Sequence, residues 1–486
     1  MQSGLGAGWG ASTEQPGEAR RNSTPGTVTD LEQGPPKCSA CRVQEIPCAY
    51  FPSRLCRGRG DTAVAERCSL RMDIHSRRLE VSHGDSLEHG ASRASPIRSP
   101  VRDPGGMSRT RSRLASLCFA LCLGLAAGVV TGCDDDDESS RLHVDLQSII
   151  EDAVSKGVTP GVSLAVASDE GSTWLGAAGV GDVERNQPMS AQHRFRAGSI
   201  LKTLVATAVL QAVERGTLAL EDTLTERLPA SVTDRIENAQ SITVAMLLAH
   251  RSGIPEWVTD ETNLAIMADP EHLWTLEEIL GIAGAQPSAF PPGSGYGYSN
   301  TNYVLLGEIL SAAEGRSWRA IVRERVIERA GLSHTRLPEP GDLDCPAPCA
   351  RGYVPLDEGL ADLTVVDPSM AGASGGHALE TTVSDLLTFW KKLRAGALFE
   401  RKQTLESMLA FQPAPEPESR LVGYGLGVMQ LDSRGVVAIG HLGTTAGYQS
   451  FMLYVPKTGR YITGNINVMG DLAAVLVPIM DRAGRP

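Results

Sequence analysis

Length, composition and charge limit what this chain can be. It has 486 residues, of which 42% are hydrophobic and 21% charged, enough for one large or two ordinary globular domains with a full core. Residues 1–132 contain 17 Lys and Arg against 12 Asp and Glu, whereas the rest contain 28 against 45, a net charge of −17. Such an acidic body argues against nucleic acid as a partner, because binding phosphates requires positive charge.

The first 106 residues are rich in Gly, Pro, Ser and Arg and show no sustained hydrophobic period. We predict that they are disordered or are translated upstream sequence, with Met107 as the true start. The alternative is a zinc site, because Cys38-x-x-Cys41 followed by Cys48 resembles half of a fungal binuclear zinc cluster. The later cysteines do not repeat that spacing, so we expect no metal.

A segment with the layout of an export signal begins at Met107. Three arginines precede an apolar run, 114–130, that is short for a membrane span. The run leads into Val-Thr-Gly-Cys133, which resembles the lipobox of bacterial lipoproteins. We therefore predict a lipoprotein-type signal over 107–133, lipidation at Cys133, and a protein anchored to a bacterial envelope membrane, facing the periplasm or the exterior. An uncleaved membrane anchor is the alternative.

The body of the chain follows this segment. Four aspartates open residues 134–141, which predict a solvated acidic linker. Apolar residues at helical spacing predict a first helix over 142–156 and a last one over about 471–482. The segments that favour strands are 161–167, 172–180, 423–431, 436–441, 448–455 and 460–468.

These elements predict one domain over 142–486 with strands at its two ends. The sheet would come from about 142–195 and 396–486, and a mostly helical part from about 196–395. The expected class is α/β (α+β), an antiparallel sheet flanked by helices with a large helical insertion.

Ser199 and Lys202 form an S-x-x-K motif at the start of a helical segment. From Thr203 the apolar residues follow helical spacing, so Ser199 lies at the helix entrance. Residues three apart share a helix face, which points the Lys202 amine at the Ser199 hydroxyl. Burial would lower the pKa of this lysine and make it a base for the serine. A capping serine followed by a solvated lysine has the same pattern, so the motif alone decides little.

A second motif, Tyr298-Ser299-Asn300, stands where a Pro- and Gly-rich loop meets another apolar helix. The Tyr298 hydroxyl could relay a proton, and the Asn300 amide could bind substrate and steady Lys202. A turn capped by Ser299 or Asn300 is the alternative.

A third motif, His441-Leu442-Gly443-Thr444, ends a predicted strand. The backbone N–H groups of such a strand could bind an acyl substrate, and Gly443 would allow its close approach. A structural role for His441 is the alternative.

Together, the three motifs resemble those of the serine β-lactamase and penicillin-binding peptidase superfamily. The Tyr-x-Asn form of the second motif and the histidine in the third are similar to the class C β-lactamase and D-Ala-D-Ala carboxypeptidase branch. The likeness runs from about Leu146 to the C-terminus. It implies a β-lactamase/transpeptidase-like fold and a serine hydrolase that cleaves ester or amide bonds.

The resemblance also assigns roles to residues. Ser199 would be acylated, Lys202 and Tyr298 would transfer protons, and the N–H groups of Ser199 and Thr444 would form the oxyanion hole. The substrate-binding residues would be Asn300, His441, Gly443 and Thr444. We expect no cofactor and no metal, a monomer, and a small molecule or a peptidoglycan peptide as substrate.

Three other interpretations stay open. Ser374 lies in a G-x-S-x-G sequence like the nucleophile elbow of α/β-hydrolases, although Pro368 interrupts the strand that such an elbow needs. The chain could be a catalytically silent penicillin-recognising binding protein, or a β-lactamase. Independently of these, Cys345 and Cys349 either form a local disulfide or remain two thiols.

Leu442 departs from the pattern of the carboxypeptidases that the chain resembles. Those enzymes carry a hydroxyl residue there, which helps to hold the free carboxylate of the substrate. The nearest cation after the segment YGLGV is Arg434. Without a hydroxyl or a cation, a substrate carboxylate would be poorly compensated, so we expect esters to be better substrates than peptides ending in free D-Ala.

Overall fold

A computed structural model of the chain describes residues 134–485, apart from 170–172, 368–378 and 417–419, together with two paired two-residue strands, Gln44–Glu45 and Arg71–Met72. Apart from those two strands, the predictions for residues 1–106 lie outside the described residues. The same holds for the signal segment with Cys133 and for Ser374. Among the helices that are described, none is both long and apolar enough to span a membrane.

The sheet strands come from both ends of the body, as the sequence predicts. In chain order the strands are β1 (Gly161–Ser168), β2 (Thr173–Asp182), β3 (Gln187–Pro188), β4 (Phe195–Arg196), β5 (Tyr353–Pro355), β6 (Leu360–Asp362), β7 (Glu380–Thr381), β8 (Gln412–Glu416), β9 (Leu421–Tyr424), β10 (Met429–Ser433), β11 (Val436–Thr445), β12 (Tyr448–Val455) and β13 (Arg460–Ile466). Nine of them form one antiparallel sheet in the order β8-β9-β10-β11-β12-β13-β1-β2-β3. The first hairpin therefore lies beside the last strand, β13.

Helices cover both faces of this sheet. They are α1 (Asp134–Ser155), α2 (Leu201–Glu214), α3 (Leu224–Arg227), α4 (Ala230–Thr233), α5 (Val244–Leu248), α6 (Asp260–Ala268), α7 (Leu276–Gly284), α8 (Asn300–Glu314), α9 (Trp318–Val322), α10 (Val383–Arg394), α11 (Lys402–Met408) and α12 (Leu472–Ala483). Side chains alternate along a strand, so Phe451 and Leu453 of β12 pack with α1 and α12, whereas Met452 and Tyr454 pack with α2 and α10. This arrangement confirms the predicted class.

Two boundaries differ from the prediction. The first helix begins at Asp134, so it includes the segment 134–141 that the sequence analysis assigned to a linker. The part predicted as helical over about 196–395 also contains two short strand pairs, β4 with β7 and β5 with β6, and helix α11 follows it.

The predicted strand 423–431 is wrong at its centre, where the chain leaves the sheet between β9 and β10. Gly427 has a φ of +81°, and a Cβ there would lie 2.5 Å from the Cβ of Ala206 in α2. The Thr203 hydroxyl donates to the Gly427 carbonyl over 2.8 Å. This loop therefore packs against the helix that begins beside Ser199, and glycine is what allows the contact.

Cys345 and Cys349 form a disulfide. Within the closed loop, the Pro348 carbonyl accepts from the backbone N–H of Arg194, next to β4, over 2.8 Å. Of the two alternatives left open by the sequence, the structure has the cross-link.

Candidate active site

Ser199 lies in a single 3₁₀ turn, Gly198–Ile200, that leads directly into α2. The turn begins with a φ of +52° at Gly198, and a Cβ on that residue would lie 2.7 Å from the Thr444 carbonyl oxygen. Only glycine fits such a backbone-to-backbone contact at this φ. The turn that holds Ser199 is thus packed against the end of β11, and the first and third motifs are adjacent in space.

The side chain of Lys202 is fully buried and is directed at Ser199. Its Nζ donates to Ser199 Oγ over 3.1 Å and to Asn300 Oδ1 over 2.6 Å. Burial lowers the pKa of Lys202 to about 7, although the nearby Glu256 opposes that shift. A substantial fraction of the amine is therefore neutral at neutral pH, as a base for the Ser199 hydroxyl requires.

Tyr298 lies next to the same amine. Lys202 Nζ is 5.1 Å from the centroid of the Tyr298 ring and 5.6 Å from that of Tyr303. Burial raises the pKa of Tyr298 well above its ordinary value, while a side-chain hydrogen bond with Ser199 acts in the opposite direction. Tyr298 is consequently a protonated phenol, suited to relay a proton but not to remove one as a tyrosinate.

Asn300 is the first residue of α8, and a carboxylate that the sequence analysis missed holds it in place. Glu256 Oε2 accepts from the backbone N–H of Asn300 over 2.7 Å and from Asn300 Nδ2 over 2.9 Å. Its other oxygen accepts from the Val258 N–H over 2.8 Å. Burial raises the pKa of Glu256, and these N–H groups oppose that shift. The only signal in the sequence is an acidic residue within the loop that joins α5 to α6.

The side chain of His441 is buried beside Lys202. It has no exposed surface, and both ring nitrogens have partners inside the protein. Nδ1 is 2.6 Å from the Leu442 carbonyl oxygen, so Nδ1 donates, and Nε2 accepts from the hydroxyl of Tyr424 over 2.9 Å. Burial lowers the pKa of His441 to about 3, so the ring is neutral. These contacts fix the position of the His441 ring, and its assignment as a substrate-binding residue stays a prediction.

The backbone at the end of β11 faces the turn that holds Ser199. Strand β10 pairs with β11 only as far as Gly440, so none of the described strands pairs with that edge of β11 beyond this residue. Thr445 pairs with Tyr448 across a two-residue turn, and hydrogen-bonded pairs alternate along the ladder. We infer that the N–H of Thr444 points away from β12 and towards the turn of Ser199. Gly443 lies directly against that turn.

Leu442 is partly buried against the hydrophobic cluster that also contacts Tyr298. Arg434 does not compensate for the missing hydroxyl, because it lies at the opposite end of β11. At ~3.4 Å per residue, the length of β11 puts it roughly 25 Å or more from Thr444. Its guanidinium is 3.4 Å from Asp481 of α12.

The sequence of this chain is similar to those of known proteins. A family model described as Beta-lactamase matches residues 146–478, which contain all three motifs. Penicillin-binding protein 4 of Amycolatopsis lactamdurans is 27% identical over 309 residues, covering 62% of this chain and 78% of that protein. Esterase EstB of Burkholderia gladioli is 27% identical over 320 residues, covering 60% of this chain and 80% of that protein.

Solved structures show the same similarity. A D-stereospecific amidohydrolase from Streptomyces sp. superposes with a TM-score of 0.61 at 30% identity, covering 69% of this chain and 97% of that one. The D-amino acid amidase from Ochrobactrum anthropi SV3 superposes with a TM-score of 0.61 at 28% identity, covering 71% and 97%.

Proposed function

This chain belongs to the beta-lactamase family, and we propose that it is a serine hydrolase that cleaves ester or amide bonds through an acyl-enzyme on Ser199. One observation carries the proposal. The buried Lys202 amine lies 3.1 Å from the Ser199 hydroxyl, and its pKa is lowered to about 7 by burial. A serine needs such a neighbouring base to become a nucleophile at neutral pH.

Acylation begins when Ser199 Oγ bonds to the substrate carbonyl carbon and its proton passes to the neutral Lys202 amine. The N–H groups of Ser199 and Thr444 stabilise the negative charge on the carbonyl oxygen. The bond to the leaving alcohol or amine then breaks, and that group takes the proton from Lys202 through the Tyr298 hydroxyl. The products are the acyl-enzyme and the free alcohol or amine.

Deacylation repeats these steps with water. The water oxygen bonds to the acyl carbonyl carbon while one of its protons passes to the Lys202–Tyr298 pair. Collapse of the intermediate returns that proton to Ser199 Oγ and releases the carboxylic acid. The same two side chains serve both half-reactions, in keeping with microscopic reversibility.

Esters or amides without a free carboxylate beside the scissile bond fit this site best. Leu442 replaces a hydroxyl, Arg434 lies at the far end of β11, and Glu256 adds negative charge near the nucleophile. The similarity to an esterase and to amidases supports this choice. D-Ala-D-Ala carboxypeptidase activity is the alternative, favoured by the similarity to penicillin-binding protein 4.

Labelling with a fluorescent fluorophosphonate tests the proposal. Wild type should be labelled on the peptide that contains Ser199, and Ser199→Ala should not. Ser407→Ala is the matched control, because Ser407 is exposed on α11. Labelling that survives in Ser199→Ala but is lost in Ser374→Ala would move the nucleophile to Ser374. No labelling and no turnover of p-nitrophenyl esters, nitrocefin, a D-amino acid amide or a D-Ala-D-Ala peptide would instead indicate a silent binding protein.

We also propose that the hydrolase acts at the bacterial cell envelope, tethered through a lipid on Cys133. The support is the order of the sequence before α1: a basic segment, an apolar run and a lipobox-like cysteine. The proposed partners are the membrane and a small-molecule or peptidoglycan-peptide substrate, with the protein acting as a monomer.

A further inference from the structure

Glu256 belongs to none of the three motifs. It contacts Asn300 of the second motif, which in turn contacts Lys202 of the first. Its carboxylate accepts three N–H groups: the backbone and side-chain N–H of Asn300, at 2.7 and 2.9 Å, and that of Val258, at 2.8 Å. Three donors on two oxygens favour the ionised carboxylate over the protonated acid, which would bring an O–H donor of its own.

This contact decides which end of the Asn300 amide faces the lysine. A carboxylate only accepts hydrogen bonds, so the NH₂ end of Asn300 must point to Glu256. The carbonyl end then points to Lys202 Nζ, 2.6 Å away. If the amide were turned over, its oxygen would face the Glu256 carboxylate and its NH₂ group would face the N–H donors of Lys202, two unfavourable contacts in place of two good ones.

Among the titratable side chains that face Lys202, Glu256 is the negatively charged one. His250 and His441 face the amine, but burial lowers the pKa of both, so they are neutral. Burial raises the pKa of Tyr298 and Tyr303, so both phenols keep their protons.

We propose that Glu256 is a positioning residue: it fixes the Asn300 amide so that its oxygen holds the Lys202 amine against Ser199, and its charge favours the ammonium that forms during acylation. The inference rests on the proposed serine hydrolase function. In this role Glu256 positions Lys202 through Asn300, and it requires no contact with the substrate.

The isosteric variant Glu256→Gln separates this role from simple packing. A glutamine has one acceptor oxygen and one NH₂ group, so it cannot accept from both Val258 and Asn300 in their present positions. One orientation leaves the Val258 N–H facing a donor, and the other forces the Asn300 amide to turn over. In either case the negative charge beside Lys202 is lost.

The test measures kcat and kcat/KM for a neutral p-nitrophenyl ester from pH 5 to 9, using the whole protein. In Glu256→Gln we expect kcat to fall roughly 10- to 100-fold, as for loss of a hydrogen bond to a charged group. We also expect the acidic limb of kcat/KM to move to lower pH, because the lysine loses a stabilising negative charge. Glu271→Gln is the matched control, since Glu271 is exposed.

Two further variants keep the outcome decisive. Glu256→Gln combined with Asn300→Ala should lose clearly less kcat than the product of the two single losses, because the hydrogen-bonded part of the Glu256 effect acts through Asn300. Glu256→Asp, which keeps the charge, should keep the acidic limb of wild type. A uniform loss of rate with an unshifted limb, or additive losses, would overturn the positioning role. If Ser199→Ala retained full activity, the serine hydrolase function itself would fail, whatever Glu256 does.

Discussion

Gly443 of β11 packs directly against the backbone of Ala197, two residues before Ser199, and leaves no space for a side chain at position 443. A Cβ on Gly443 would lie 2.0 Å from the Ala197 carbonyl oxygen and 2.5 Å from Ser450 Oγ. A glycine therefore sets the separation between the turn that holds Ser199 and the edge of β11 that we propose binds the oxyanion.

Gly443→Ala should push β11 away from the turn. Misplacing one oxyanion donor costs about 100- to 1,000-fold in kcat, so we expect a loss of that order for a p-nitrophenyl ester. The matched control is Gly281→Ala in α7, where an added Cβ meets no other atom within 4 Å. That variant should keep full activity and a melting temperature at or slightly above that of wild type. An active Gly443→Ala would show that this contact does not set the site.

The pH dependence of the reaction should follow Lys202. Only the neutral amine can take the Ser199 proton, and burial lowers the pKa of this lysine to about 7. We expect kcat/KM for a neutral ester to fall about tenfold per unit as pH decreases below that pKa. A profile that stays flat down to pH 5 would assign the base to another group.

Residues in the motifs were predictable because their geometry is local. The contact between Ser199 and Lys202 follows from three-residue spacing at a helix start, which needs no knowledge of the rest of the fold. Glu256 was not predictable, since its contact with Asn300 joins residues 44 positions apart across two loops. Nothing in the sequence near Glu256 indicates which helix its carboxylate meets.

The burial of the His441 ring and the break in the segment 423–431 were not predictable for a similar reason. A strand-end histidine can face the cleft or the interior, and the choice depends on where the neighbouring strand β10 stops pairing. The break at Gly427 depends on the distance to α2, which is a tertiary contact. The sheet itself was predictable from segments rich in residues that favour strands, and one of its strands, Tyr448–Val455, has the predicted ends.

A buried lysine should also lower stability, with a definite pH dependence. Burial lowers the pKa of Lys202 from 10.5 to about 7, so between these values the unfolded chain binds more protons than the folded one. The free energy of unfolding should therefore rise with pH across that window. Lys202→Met removes the burial cost and should raise the melting temperature at pH 6.5, while abolishing turnover.

The advantage of Lys202→Met should shrink at pH 9.5, where much of the wild-type penalty has disappeared. Lys402→Met is the control, because the Lys402 side chain is 84% exposed. Calorimetry at the two pH values gives both comparisons. A Lys202→Met protein that melts below wild type at both pH values would contradict this account.

Cys133 should determine where the protein is found. Expression from Met107 in a bacterial host should give a membrane-bound, lipid-modified protein, and Cys133→Ser should lose both the modification and the membrane association. Mass spectrometry of the N-terminal peptide and membrane fractionation measure these outcomes. Unchanged processing and fractionation in Cys133→Ser would rule out lipidation at this site. Deleting residues 1–106 should leave the activity of the purified protein unchanged.

Leu442 should set the preference between neutral and carboxylate-bearing substrates. It lies in β11 beyond the last residue that pairs with β10, between His441 and Gly443, and is partly buried. A substrate carboxylate beside it would lose water without gaining a hydrogen bond, which is costly. We expect wild type to hydrolyse a neutral p-nitrophenyl ester faster than a D-Ala-D-Ala peptide, with at most weak nitrocefin turnover.

Leu442→Thr would supply the missing hydroxyl. A hydrogen bond to a charged group contributes about 1.5–3 kcal/mol, so the ratio of kcat/KM for the peptide over the ester should rise roughly 10- to 100-fold. Leu442→Val is the control, because valine has nearly the shape of threonine but no hydroxyl, and it should leave that ratio near the wild-type value. An equal change of the ratio in both variants would contradict this prediction, because the smaller side chain and not the hydroxyl would then be the cause. Wild-type enzyme that cleaves the peptide faster than the ester would likewise leave the carboxypeptidase alternative standing.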